Sequence, residues 1–232
     1  LFKRGDSGSR LPWAVSEYNR IHDLELHSWP GLEAQVAALS DDIAYNSHDL
    51  DDGLRAELFS LDDLADVPLV GPIIDRVRTT YPDLELARII HETVRRMIDA
   101  MVNDVLSESS RRIADVNPQS VEDVRAHDDA LVAFSDAMDA QNRALKRFLF
   151  ERMYRHFKVN RMTSKARRVV TDLFTLLLDE PDCLPDQWRE KAESAQDETV
   201  RARLVADYIA GMTDRFANDE HRRLFDLYDE SS

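Results

Sequence analysis

The chain has 232 residues, 43% hydrophobic and 32% charged, which is enough for a buried core and unlike the composition of a disordered tail. Six Gly and eight Pro are too few for a strand-and-turn protein, and the longest apolar run, residues 173–178, falls far short of the ~18 residues a membrane helix needs. Thirty Lys/Arg against 45 Asp/Glu leave a net charge of -15, which argues against a general nucleic-acid or membrane-surface coat; the single cysteine, Cys183, excludes an internal disulfide framework and a Cys-based metal cluster and suits a reducing cytoplasm.

The chain opens on Leu1-Phe2-Lys3-Arg4 without Met and without a charged segment leading into an apolar one, so no secretory signal is read there. Residues 1–13 are Gly/Ser/Arg-rich and are expected to be a loop, and a start in the middle of a longer protein is the simplest expectation. After Pro30-Gly31, Leu32, Val36, Leu39, Ile43, Leu50 and Leu54 recur at helical spacing and predict a long amphipathic helix. A break follows Phe59, and Pro68, Gly71 and Pro72 mark a loop. Pro82 introduces a second long helix carrying Leu86, Ile90, Met97 and Met101, which Asn117-Pro118 ends, with Ser120 as the cap of a short helix after it. Further helices are predicted over about 135–157, 164–178 and 186–194, and a last segment carries Val200, Leu204, Tyr208, Ile209 and Met212, then Leu224 and Leu227. The architecture expected is all-α, an irregular compact helical bundle.

The first long helix has two contrasting faces. With each residue advancing roughly 100°, Leu32, Val36, Leu39, Ile43, Leu50 and Leu54 fall in one stripe, and Ala34, Ala38, Asp41, Tyr45, His48, Asp49 and Asp52 fall opposite. A solvated face is ordinarily built of Lys, Glu and Gln. Small residues beside crowded carboxylates instead suit the approach of a ligand or a cation. Two readings stay open on this pattern alone: Asp41, Tyr45 and Asp49, spaced four apart, line a polar cleft, or the face is solvated surface, as is expected for Asp51-Asp52 and Asp62-Asp63.

The run LEAQVAALSDDIAYNSHDLDDGLRA at 32–56 resembles the deoxyguanosinetriphosphate triphosphohydrolase-like family of the HD superfamily, as do LFERMYRH at 149–156 and DYIAGMTDRFA at 207–217. The resemblance implies an all-α, metal-dependent cytoplasmic enzyme that hydrolyses deoxynucleoside triphosphates to deoxynucleoside and inorganic triphosphate. A homo-oligomer is expected, and no membrane partner. Asp41-x-x-x-Tyr45-x-x-x-Asp49 matches the family's Asp-helix motif: by that resemblance Asp41 is a divalent-metal ligand (Mg, Mn or another transition metal), Tyr45 packs on the deoxyribose, and Asp49 accepts a hydrogen bond from its 3'-hydroxyl. The first His and the His-Asp doublet that complete the family's metal set belong well before this helix. His22-Asp23 resembles the family's linker instead, and His48-Asp49 lies inside the Asp helix. The resemblance therefore implies the C-terminal half of such an enzyme, incomplete and inactive by itself. Residues 1–30 are then a loop and linker from an upstream HD segment, and 31–232 are the helical part, with 31–60 completing the active site. A nucleotide monophosphohydrolase of the same superfamily and a non-catalytic helical nucleotide- or single-strand-binding module are the alternatives.

Residues 143–168 hold ten Lys/Arg and one acid, Glu151, so this stretch carries +9 and the rest of the chain -24. Arg forks and Lys heads of this density suit phosphate oxygens, and Tyr154, Arg155, Lys165 and Arg168 are the candidate phosphate-binding residues. Three readings stay open: contact with the substrate triphosphate, a second site for a nucleotide activator or single-stranded nucleic acid, and intramolecular or intersubunit charge pairing. His91-Glu92 lacks the second His of a metalloprotease helix, His156 belongs to a polar face or assists phosphate binding, His221 is read as surface, and Cys183 has no paired His.

Overall fold

The structure, a computed structural model, describes residues 11–226. Residues 1–10 of the expected opening loop, and Leu227, lie outside the described residues. All regular structure among the described residues is helical, and the contacts divide the chain into two compact units, residues 1–154 and 155–232. No described helix is long and apolar enough to cross a membrane.

The first unit contains α1 (Trp13–Ile21), α2 (Leu32–Arg55), α3 (Gly71–Thr80), α4 (Leu86–Val116), α5 (Val121–Ala126) and α6 (Asp136–Leu149), the last continuing into a π-helical turn, Phe150–Tyr154. α1 lies inside the stretch expected to be loop and linker. α3 begins where Pro68, Gly71 and Pro72 suggested only a loop. Proline within the first turn of a helix costs little, because its missing N–H has no intrahelical partner there. Asn117 ends α4 in the left-handed conformation, at φ 47°, and Ser120 opens α5 with a reciprocal capping box to Asp123. α2 packs on α4 and α6 over a core that includes Ile43, Leu50, Leu64, Ile74, Met97, Met101, Leu145 and Leu149.

The α2 stripe differs from its apolar pattern in one respect. Val36 is 48% exposed, whereas the polar Gln35, Asn46 and Ser47 are buried. Gln35 donates to the Pro30 carbonyl at 2.8 Å and accepts from the Leu131 and Val132 amides at 3.0 Å each, so its amide ties the loop before α6 to the start of α2. Asn46 Nδ2 donates to Asn142 Oδ1 at 2.9 Å, and the Ser47 hydroxyl donates to the Ile43 carbonyl. Each of these three buried polar side chains thus has a partner, which removes most of its burial cost.

The second unit contains α7 (Phe157–Asp179), α8 (Asp186–Glu193), α9 (Glu198–Ala210) and α10 (Asp214–Phe225). α7 starts seven residues earlier than position 164, and the helix predicted over 135–157 is broken at His156. That residue is extended (φ -63°, ψ 139°), and its ring accepts from the Lys158 amide as a cap. Asp197 and Thr213 cap α9 and α10 in the same manner. Val169, Leu173, Leu177, Leu184, Ala192, Val205 and Ile209 form this unit's own core. His221 is half-buried, Nε2 2.9 Å from Asp172 and its ring stacked on Phe225, so it ties α10 to α7.

Candidate functional site

Asp41, Tyr45 and Asp49 lie one turn apart along α2. Asp41 is exposed, Tyr45 is 63% exposed and Asp49 is half-buried. The apolar stripe at Ile43, Leu50 and Leu54 anchors the other side of the helix in the core, and this fixes the direction in which the three point.

Beside them runs a polar seam between α2 and the α6–π segment. Lys146 Nζ reaches both Asp42 oxygens at 2.6 Å, Asn142 pairs with Asn46, and the Tyr154 hydroxyl donates to Asp49 Oδ2. Partners 96 to 105 residues apart in sequence thus meet along one side of α2. The π-helical turn explains how Tyr154 enters this row. Its wider i→i+5 winding lags behind the α-helical advance and brings residue 154 back toward the face carrying Asn142 and Lys146. The hydrogen bond to Asp49 is the main reason the Tyr154 phenol is pushed up to about 12. Desolvation comes next, and Tyr45 is close enough to add a smaller contribution. The aromatic residues of this segment divide by environment: Phe148 packs edge-on against Phe59 at 5.1 Å in the core, whereas Phe150 and Tyr154 are exposed.

A groove of about 360 Å³ lies on the neighbouring edge of α2, between it and α4. It is lined by Ser40, Ala44, Ser47, His48, Asp51 and Arg55 together with His91, Val94, Ile98 and Val102. The lining does not include Asp41, Tyr45 or Asp49, and His48 belongs to the groove rather than to their face. Among the described residues no three His, Cys, Asp or Glu side chains converge to hold a metal ion. The carboxylate of Asp41 is a single ligand, and the residues present do not by themselves fit a metal centre.

The basic stretch separates into two parts. Arg143 pairs with Asp139 at 3.1 Å, Lys146 with Asp42, and Arg152 with Asp63 at 2.6 Å, so three of the four cations before the unit boundary are charge-paired within their own unit; Arg147 has no carboxylate within 4.0 Å among the described residues. On α7, Lys158, Arg161, Lys165, Arg167 and Arg168 have no carboxylate within 4.0 Å among the described residues. Arg161 instead sits over the Phe157 ring at 5.4 Å. Arg161, Lys165 and Arg168 share one side of α7 with Phe157, Asn160 and Ser164, around an open groove of about 470 Å³. The structure therefore brings Lys165 and Arg168 together and places Tyr154 on Asp49. Charge counting alone does not separate these parts, because it does not show which cations have folded against acids.

The phosphohydrolase-associated domain family matches residues 132–223. A deoxyguanosinetriphosphate triphosphohydrolase-like protein of Parvibaculum lavamentivorans is 54% identical over 225 residues, 97% of this chain and 57% of its own. Proteins of the same description from Caulobacter sp. (strain K31) and Brucella anthropi are 56% and 51% identical, over 92% and 93% of this chain and 54% of theirs. The chain belongs to the deoxyguanosinetriphosphate triphosphohydrolase-like family. It spans little more than half the length of these family members.

Proposed function

We propose that this chain is part of a metal-dependent cytoplasmic enzyme that hydrolyses a deoxynucleoside triphosphate to deoxynucleoside and inorganic triphosphate. The observation that carries this reading is the row Asp41, Tyr45 and Asp49 on one outward face of α2, in a chain 54% identical to a triphosphohydrolase-like protein. In this reading Asp41 contributes one carboxylate to a divalent-metal site whose other ligands come from the part of the family-length protein that this chain does not span. The Tyr45 ring packs on the sugar, where a 2'-hydroxyl would crowd it, and Asp49 accepts a hydrogen bond from the 3'-hydroxyl. The chain by itself is inactive, because one carboxylate leaves most metal positions to water.

The test is product analysis with the family-length protein carrying this chain, supplied with deoxynucleoside triphosphates and Mg or Mn. Inorganic triphosphate released whole supports the reading. Stepwise orthophosphate release, or turnover of monophosphates only, sinks it in favour of a monophosphohydrolase. Asp41→Asn should abolish turnover with little change in thermal stability, because Asp41 is exposed.

The unpaired cations of α7 favour a second reading for that helix: Arg161, Lys165 and Arg168 hold the phosphates of a bound nucleotide or of a single strand. Arg155, at the boundary of the two units, belongs to the same phosphate-binding proposal. A homo-oligomer is part of the proposal as well.

A further inference from the structure

We propose that Tyr154 is a positioning residue for substrate selection, fixing the Asp49 carboxylate so that its free oxygen meets the 3'-hydroxyl of the deoxyribose. The inference rests on the reading of Asp49 given above and adds the group that orients it.

The geometry supplies the argument. Tyr154 donates to Asp49 Oδ2, and no donor reaches Oδ1 among the described residues. A lone aspartate on a helix surface samples several rotamers, and holding it in one of them before substrate arrives removes an ordering cost from binding. Tyr154 is in turn held firmly. It ends the π-helical turn directly after Met153, which packs against the core of the first unit. Asn142 and Lys146, earlier in the same α6–π segment, are tied to Asn46 and Asp42 of α2. Asp42, Asn46 and Asp49 thus each meet a partner from the α6–π segment, and Tyr154 is the partner of the residue proposed to read the sugar. Its phenol keeps its proton at neutral pH, so it is the donor of this hydrogen bond. Tyr45 lies one turn before Asp49 on α2, so the ring proposed to pack on the sugar and the carboxylate proposed to read its 3'-position are neighbours of the same phenol.

The experiment compares wild type, Tyr154→Phe, Asp49→Asn and the double variant in the family-length protein. Each is assayed on a deoxynucleoside triphosphate and on its 2',3'-dideoxy analogue, which lacks the hydroxyl in question. Tyr154→Phe keeps the ring and removes only the donor. It is expected to raise KM for the deoxy substrate roughly 3- to 30-fold with kcat within about twofold, and to leave the dideoxy analogue unaffected. The double variant should be no worse than Asp49→Asn, because the two residues act as one unit. Equal losses from Tyr154→Phe on both substrates, or losses additive with Asp49→Asn, overturn the positioning role while leaving Asp49 in place. If Asp49→Asn alone does not narrow the preference for deoxy over dideoxy substrate, the reading of Asp49 itself fails, and the role of Tyr154 falls with it.

Discussion

Asn46 and Gly53 show how single residues of α2 set the geometry of the Asp41–Asp49 row. Asn46 is 6% exposed and Asn142 3% exposed, and the amide–amide hydrogen bond between them aligns α2 with α6. Asn46→Ala leaves the Asn142 oxygen buried without this donor and should cost about 1–3 kcal/mol, measured by chemical denaturation. Exchanging both for Leu should recover part of the stability while loosening the contact of α2 with α6 beside Lys146–Asp42. At Gly53 a Cβ would run into the Phe59 ring, which is itself buried and edge-packed on Phe148. Gly53→Ala should therefore destabilise the chain by about 1–3 kcal/mol through overpacking, despite the better helix propensity of Ala. An increase in melting temperature for Gly53→Ala would contradict this packing account.

At the scale of the element, α4 and α7 place their charges in opposite ways. Near the end of α4, Glu108 accepts from Arg111 at 2.7 Å and from Arg112 at 2.7 Å, while Arg112 also donates to the Ala130 carbonyl. The two guanidinium hydrogen bonds, Arg111 first, hold Glu108 down at about 2 from its ordinary 4.5. The folded-state value is depressed, so the stabilisation is complete above the ordinary value and is lost as pH falls through the folded one. Thermal unfolding followed from pH 6 downward should show a loss of stability between pH 4.5 and about 2 that is smaller in Glu108→Gln. The first turns of α7 carry cations with no such partners. Lys165→Ala and Arg168→Ala should change folding stability by less than about 0.5 kcal/mol, because no ion pair within the described residues is lost. If α7 holds phosphates, the same substitutions should weaken nucleotide or single-strand binding, and for a strand should reduce its salt dependence by close to one unit of slope per residue. Unchanged binding together with a broken oligomer would assign the face to a subunit contact.

At the scale of the whole molecule, the described residues form two hydrophobic cores, one within each unit. Leu173 and Met97 are both fully buried, each in its own core. Leu173→Ala should cost about 2–5 kcal/mol and raise amide exchange across α7–α10, and Met97→Ala should do the same across α2–α6. Hydrogen exchange followed by peptide mapping reads both. Uniform loss of protection over all ten helices from either substitution would mean that the two cores open as one.

The helical class, the two-faced α2, the Asn117 stop, the Ser120 cap and the Asp41-Tyr45-Asp49 motif were all legible in the residues, because each is local. Periodicity, capping and spacing within one helix are written in neighbouring positions. The family was legible for the same reason, since its longest quoted run, 32–56, falls almost wholly within α2. What the local pattern missed depended on partners about a hundred residues away. Val36 fits the apolar stripe yet is 48% exposed. Gln35 breaks the stripe yet is buried because two loop amides satisfy it. By sequence Tyr154 belongs to a basic segment, among the candidate phosphate-binding residues. Only the tertiary structure, through the π turn that redirects it, placed its hydroxyl on Asp49. Likewise residues 143–168 form one patch by charge count, and folding separates it: Arg143, Lys146 and Arg152 each lie against an acid of their own unit, whereas Lys158, Arg161, Lys165, Arg167 and Arg168 have no ion pair among the described residues.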